Sequence, residues 1–158
     1  MMGPPAIGGQ LGEMSMGKLD DASYHMGADD FPDDAPEENG ATHIGMFLTW
    51  AIRKGLFASP DAPPEAVEAV RTGKVSGREF VLEQYYGKLL SEFFSPAGAA
   101  FATQHYEPYL ADFGRLLGKG LTSEYLVEDS RENYEVVATI LDQRWEEFQR
   151  AGGASTAC

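Results

Sequence analysis

The sequence predicts a mainly α-helical fold: a compact single-domain bundle of about five helices with an extended acidic arm at its N-terminal side. Two observations carry this. Apolar residues recur at spacings of three and four in several segments, and prolines, glycines and capping residues fall where those segments start and stop. No stretch asks for a sheet. At 158 residues, with 43% hydrophobic and 11% aromatic content, the chain can bury enough apolar surface to offset the entropy of ordering, yet is too short for two ordinary domains. The expected organisation is a flexible leader over 1–18, one helical domain over 19–151 that includes the acidic arm 20–39, and a flexible tail over 152–158.

The leader, rich in Gly, Met and Pro and nearly uncharged, has no structural period. From Asp20 to Asn39, Pro32, Pro36 and the Asn39-Gly40 turn prevent a long helix, leaving an extended segment over the domain. The first clear helix spans about 41–54, where Ile44, Phe47, Leu48, Ala51 and Ile52 form one apolar stripe, Thr42 is placed to cap the start and Gly55 to stop the end. Pro64 opens a short helix through about Arg71, closed by Gly73. Ser76 and Glu79 match a capping box for a third helix, with Phe80, Val81, Tyr85, Leu89 and Leu90 on its apolar side. A fourth helical region starts at about Pro96, and Pro108 is expected to kink it or divide it in two. Tyr125, Leu126 and Val127 suit a brief strand. The last helix, about 130–151, is capped by Asp129 or Ser130 and aligns Tyr134, Val137, Ala138, Leu141, Trp145 and Phe148 on one side.

The formal charge of −13 is unevenly spread. Met1 to Gly40 holds nine acids against Lys18 alone, and Asp20 to Glu38 holds eight carboxylates without one Lys or Arg. Such a field repels phosphate backbones and anionic lipid and attracts basic proteins, so neither nucleic acid nor membrane is an expected partner. A basic protein is. Cys158, the single cysteine, is the last residue, which excludes an intrachain disulfide or a thiolate zinc cluster and fits a reducing, cytoplasmic setting. The start has no basic region followed by an apolar run, so no secretory signal is expected, and no window is long and apolar enough to span a bilayer.

Three runs stand out together: Asp20-Asp21-Ala22-Ser23-Tyr24-His25, Phe31-Pro32-Asp33-Asp34-Ala35-Pro36-Glu37-Glu38, and Gly40-Ala41-Thr42-His43-Ile44-Gly45-Met46-Phe47 with Trp50. They resemble a family of small acidic bacterial proteins without an assigned function, whose pattern runs from a DDASWH-like start through FPxDLPxExGATHIGxFLxW. Tyr24 takes the place of the aromatic and Ala35 that of an apolar residue, and the resemblance extends through Gly120-Leu121-Thr122-Ser123-Glu124-Tyr125 to Tyr134 in the closing helix. It implies no reaction. Small families of this kind look like toxin-immunity or other accessory proteins, an analogy of size and acidity.

Among the residues themselves, no complete catalytic, nucleotide or calcium-loop motif is present, and an enzyme is the less favoured class. The expected function is a protein-binding accessory module, with an immunity-type inhibitor as its proposed form, that docks an acidic aromatic surface on a basic partner. Its binding residues are Asp21, Tyr24, His25, Asp29, Asp30, Phe31, Asp33, Asp34, Glu37, Glu38, His43 and Trp50. Tyr24, Phe31 and Trp50 offer large contact areas, though Phe31 equally suits pinning the arm and Trp50 the core. No cofactor is predicted. The alternative is a small metal-dependent enzyme in which His25 and His43, with Asp29, Asp30, Glu37 or Glu38, hold a divalent ion, while Asp21 beside His25 could tune the imidazole. Their spacing matches no established metal motif, and homo-oligomerisation is left open.

Overall fold

A computed structural model describes residues 17–29 and 31–152. Most of the expected leader and tail, and Asp30, lie outside the described residues. The chain forms β1 (Lys18–Asp21), α1 (Ala22–Met26), a 3-10 turn at Glu37–Ala41, then α2 (Thr42–Arg53), α3 (Pro64–Arg71), α4 (Gly77–Tyr85), β2 (Lys88–Leu90), α5 (Pro96–Leu117) and α6 (Arg131–Arg150). Short 3-10 turns at Ser91–Phe93 and Glu124–Leu126 complete it. The fold is mainly helical as expected, and the boundaries of α2, α3 and α6 fall within a residue or so of those the sequence suggests.

Helix α2 is the axis of the molecule. The stripe of Ile44, Phe47, Leu48, Ala51 and Ile52 is only part of its buried surface, because every residue from Thr42 to Ile52 is buried. Helices α3, α4, α5 and α6 all pack on it. Around Phe47 the core is aromatic: Tyr106 meets its ring edge-on at 5.1 Å, Tyr109 lies at 5.4 Å, and Trp50, Phe94 and Phe101 complete the shell. From the other side α6 adds Trp145 and Phe148, 5.3 and 5.6 Å from Phe101. Offset and edge-on ring pairs of this kind contribute beyond the area they bury.

Four local expectations are corrected. Thr42 does not cap α2; the 3-10 turn runs directly into the helix, Ala41 occupies the cap without a side-chain bond, and Thr42 Oγ1 accepts from Arg78 instead. Leu89 and Leu90 do not extend α4, which stops at Tyr86 in the left-handed region (φ 57°) before Gly87 (φ 84°). Released from the helix, they form β2 and pair antiparallel with β1. Pro108 does not divide α5, which runs as one element from Pro96 to Leu117, so of the two expected effects the division is the one corrected. Tyr125 and Leu126 form a 3-10 turn rather than a strand, since Ser123 Oγ accepts the Tyr125 amide and winds the backbone. Ser76 and Ser130 cap α4 and α6 as the sequence suggests.

Two interactions between elements generate predictions. Gly45 of α2 faces Gly77 and Arg78 of α4 so closely that a methyl group on Gly45 would overlap the Arg78 backbone. By contrast, a methyl on Gly114 in α5 would find its nearest neighbour, the Glu124 carboxylate, at 3.5 Å, an ordinary contact. Gly45→Ala is expected to cost about 3 kcal/mol or more. Gly114→Ala is expected to stabilise by about 0.5–1 kcal/mol through helix propensity, with urea unfolding of both variants as the measurement.

Asp112 of α5 is buried and accepts from Arg144 Nε of α6 at 2.8 Å and from Arg115 at 2.9 Å. Burial alone would raise its pKa, but the bonds from the Arg144 and Arg115 guanidinium groups outweigh that and hold it below the ordinary carboxylate value. A depressed folded-state pKa gives stability that is complete above the unfolded value of about 4 and disappears as pH falls through the folded one. Asp112→Asn is therefore expected to lower stability by about 1–2 kcal/mol at pH 7 and to shrink the loss seen on acidification below about pH 4, checked by thermal melts across that range.

Candidate metal centre

Asp20, His25 and His43 converge on one point. Asp20 comes from β1, which pairs with β2 so that Asp20 lies opposite Leu89, with an irregular register between Lys18 and Asp20. Irregular pairing of this kind re-aims side chains, and both Asp20 and Asp21 are buried. Asp21 then caps α1, its Oδ1 accepting the Ser23 amide at 3.0 Å. This starts the short helix whose last turn carries His25. His43 is the second residue of α2 and is fully enclosed. Gly40 and Gly87 let these pieces close: a methyl at Gly87 would stand 2.8 Å from Ala22 Cβ, and one at Gly40 would stand 3.1 Å from the Ala22 carbonyl.

The ligand-type atoms form a tight set. Asp20 Oδ1 lies 2.6 Å from His25 Nε2, Asp20 Oδ2 lies 3.0 Å from His43 Nε2, and the two imidazole nitrogens are 3.1 Å apart. Around this set, Tyr106 Oη donates to Asp20 Oδ2 at 2.6 Å and the Asp21 amide donates to Oδ1 at 2.8 Å. Tyr125 Oη sits 2.7 Å from His25 Nδ1, and Tyr109 Oη donates to the His43 carbonyl at 2.7 Å.

Electrostatics fixes the protonation states that matter. Burial by itself would raise the pKa of Asp20, but hydrogen bonds from His25, His43 and Tyr106 overcome it and hold the carboxyl well below its usual range. Burial pushes the His43 imidazole pKa down, against the pull of Asp20, which favours the neutral ring with a lone pair to offer. Tyr106 and Tyr109 are pushed well above the ordinary phenol value, chiefly by burial, so both hydroxyls stay protonated and donate.

Protons alone do not satisfy this triangle. An ionised carboxylate only accepts, so each Nε2 must carry a proton to bond Asp20, and the two histidines then face each other as two donors at 3.1 Å. Removing either proton mends that edge but leaves a lone pair against a carboxylate oxygen. A cation at the centre answers all three edges with no proton on any of them. Two imidazoles and a carboxylate are ligands that zinc, manganese and iron accept. Ligands of a tetrahedral zinc ion stand about 3.3 Å from one another for bonds of about 2.0–2.1 Å, so the edges of 3.0 and 3.1 Å need to open by a few tenths of an ångström and the 2.6 Å edge between His25 and Asp20 by about 0.7 Å. Among the described residues, no fourth His, Cys, Asp or Glu joins the group.

The other sequence candidates are scattered. Tyr24 is 61% exposed, with Lys18 Nζ 5.1 Å from its ring centre. Asp29, Asp33, Asp34, Glu37 and Glu38 are exposed, and Glu38 pairs with Arg78 at 3.2 Å. None of these five joins His25 and His43, which corrects the expectation that Asp29, Glu37 or Glu38 would complete a metal site; Asp30 lies outside the described residues. Phe31 is half-buried with its ring 5.2 Å from Tyr125. Asp21, His43 and Trp50 are corrected as surface contacts: all three are buried, Asp21 pairs with Lys18 at 3.1 Å, and Trp50 Nε1 donates to the half-exposed Asp142. Asp20, not Asp21, is the carboxylate beside His25. The sequence reading misses Asp20, Tyr106 and Tyr125 as parts of the site, and nothing local in Lys18-Leu19-Asp20-Asp21 separates Asp20 from its equally buried neighbour.

Residues 18–127 match a family described as a domain of unknown function (DUF7832), and the chain belongs to that family. The match contains every residue of the site and ends before α6. No curated protein and no solved structure matches the chain.

Proposed function

We propose that this member of the DUF7832 family is a metalloprotein in which Asp20, His25 and His43 hold one divalent first-row transition-metal ion. The observation that carries the reading is the His25–Asp20–His43 triangle, whose three short edges cannot all be satisfied by protons. Tyr106 and Tyr125 orient the carboxylate and one imidazole from outside, the arrangement by which outer residues fix ligand direction at metal sites. A bound ion on two imidazoles and one carboxylate supplies Lewis acidity, and three protein ligands are the number that catalytic centres use while keeping a position for water or substrate. This favours a small metal-dependent enzyme over a purely structural ion. After treatment with a chelator, the wild type is expected to bind one equivalent of Zn²⁺ and to gain about 2.7 kcal/mol of stability at a free ion concentration one hundred times Kd. Asp20→Asn, His25→Ala and His43→Ala should each abolish both effects. Absence of stoichiometric binding of Zn²⁺, Mn²⁺ or Fe²⁺ by calorimetry, or equal binding by the variants, sinks the proposal.

A second reading, a cytoplasmic accessory protein of immunity type that docks on a basic partner, is supported by the exposure of Asp29, Asp33, Asp34, Glu37, Glu38 and Tyr24. It requires only the outer carboxylates, and among the described residues no helix is long and apolar enough to cross a membrane. Charge steering predicts an association rate that falls steeply with salt. Neutralising Asp29, Asp33 and Asp34 together is expected to abolish recovery of that partner from native lysate while leaving metal binding intact; unchanged recovery argues against this reading.

A further inference from the structure

We infer that Tyr125 is a positioning residue of the metal centre, whose hydroxyl reverses its hydrogen-bonding sense toward His25 when an ion enters. The inference rests on the metal reading above. His25 uses its two ring nitrogens on different neighbours: Nε2 stands in the triangle 2.6 Å from Asp20 Oδ1, and Nδ1 stands 2.7 Å from Tyr125 Oη. A neutral imidazole has one proton for two nitrogens. Without an ion, the ionised Asp20 draws that proton to Nε2, so Nδ1 presents a lone pair and accepts from the Tyr125 O–H. An ion takes the Nε2 lone pair and sends the proton to Nδ1, which must then donate to Tyr125 Oη. A phenol hydroxyl serves both states because it can donate and accept; a phenylalanine ring in its place serves neither.

The surroundings hold Tyr125 for this task. The residue is 7% exposed, its amide donates to Ser123 Oγ at 3.1 Å, and its carbonyl accepts from Asn39 Nδ2 at 2.9 Å. Its ring packs between Phe31 at 5.2 Å and His25 at 5.6 Å. Backbone and ring are thus fixed on both sides, and rotation of the hydroxyl hydrogen is enough to change the sense of the bond. Tyr106 has no such task, because the Asp20 carboxylate accepts in both states. The two tyrosines therefore separate in experiment.

The test combines ¹⁵N NMR of the His25 ring with zinc affinity measured against a chromophoric chelator. In the wild type, His25 is expected to change from the Nε2–H to the Nδ1–H tautomer as Zn²⁺ is added. Tyr125→Phe should raise the zinc Kd about 10–100-fold and leave the Nδ1 proton of the loaded protein in rapid exchange with solvent, whereas in Tyr106→Phe that proton stays protected. Zinc binding by Tyr125→Phe within about twofold of wild type, or one unchanged His25 tautomer with and without zinc, overturns the inference while zinc binding by the wild type keeps the metal reading. Failure of the wild type to bind zinc overturns both. Should Tyr125→Phe not fold, the wild-type tautomer measurement decides alone.

Discussion

The buried carboxylate of Asp20 is the constraint around which the N-terminal part of this protein is arranged. A charge removed from water is costly unless its lone pairs are answered, and here polar groups from four places close on them: the Asp21 amide, His25, His43 and Tyr106. Each group fixes an element. The amide belongs to the end of β1, His25 to α1, His43 to the start of α2 and Tyr106 to the middle of α5. Loss of any one leaves the same charge with less support, so the four elements are coupled through one side chain.

The acids of Asp20 to Glu38, one run on paper, divide into two populations in space. Asp20 and Asp21 are turned inward and engaged, while Asp29, Asp33, Asp34 and Glu37 are exposed. Arg78 lies between these layers: it reaches Glu38 at 3.2 Å, Asp129 at 3.5 Å and Thr42 Oγ1 at 3.0 Å, tying the acidic turn to α2 and to the segment before α6. Burial decides which acids can take part in chemistry at the centre and which set only the outer field. Of the inward pair, Asp20 belongs with the histidines while Asp21 caps α1 and pairs with Lys18, and the outer group faces whatever approaches from solvent.

Much of the scaffold was legible from residue spacing, and the site was legible only in part. Proline at 64, serine at 76 and 130, and the three-and-four recurrence of α6 are local signals, and local signals placed α3, α4 and α6. Where a distant contact competes with a local preference, the reading fails: Leu89 and Leu90 fit a helix face until the left-handed turn at Tyr86 and Gly87 delivers them to β1. The same holds at the centre. His25 and His43 were recognisable as ligand types, but their meeting depends on turns that carry no periodicity. Asp20 was hidden beside Asp21 because consecutive acids look alike until a bulged strand end gives them different tasks. Tyr106 and Tyr125 were invisible as site residues, since an aromatic in an amphipathic segment reads as packing until its hydroxyl is seen to have a partner.

The pairing of Asp20 with Leu89 has a consequence for how the protein comes into being. His43 and Tyr106 lie on helices, whose periodic apolar surfaces condense early from nearby sequence, whereas β1 must find a strand far along the chain, and closing such a loop carries an entropy cost that only completed contacts offset. During synthesis, Asp20 and His25 leave the ribosome long before Leu89 and Tyr106 exist to receive them. The centre is thus assembled from its oldest residues last, and a nascent chain interrupted before the second strand has no place to put its first.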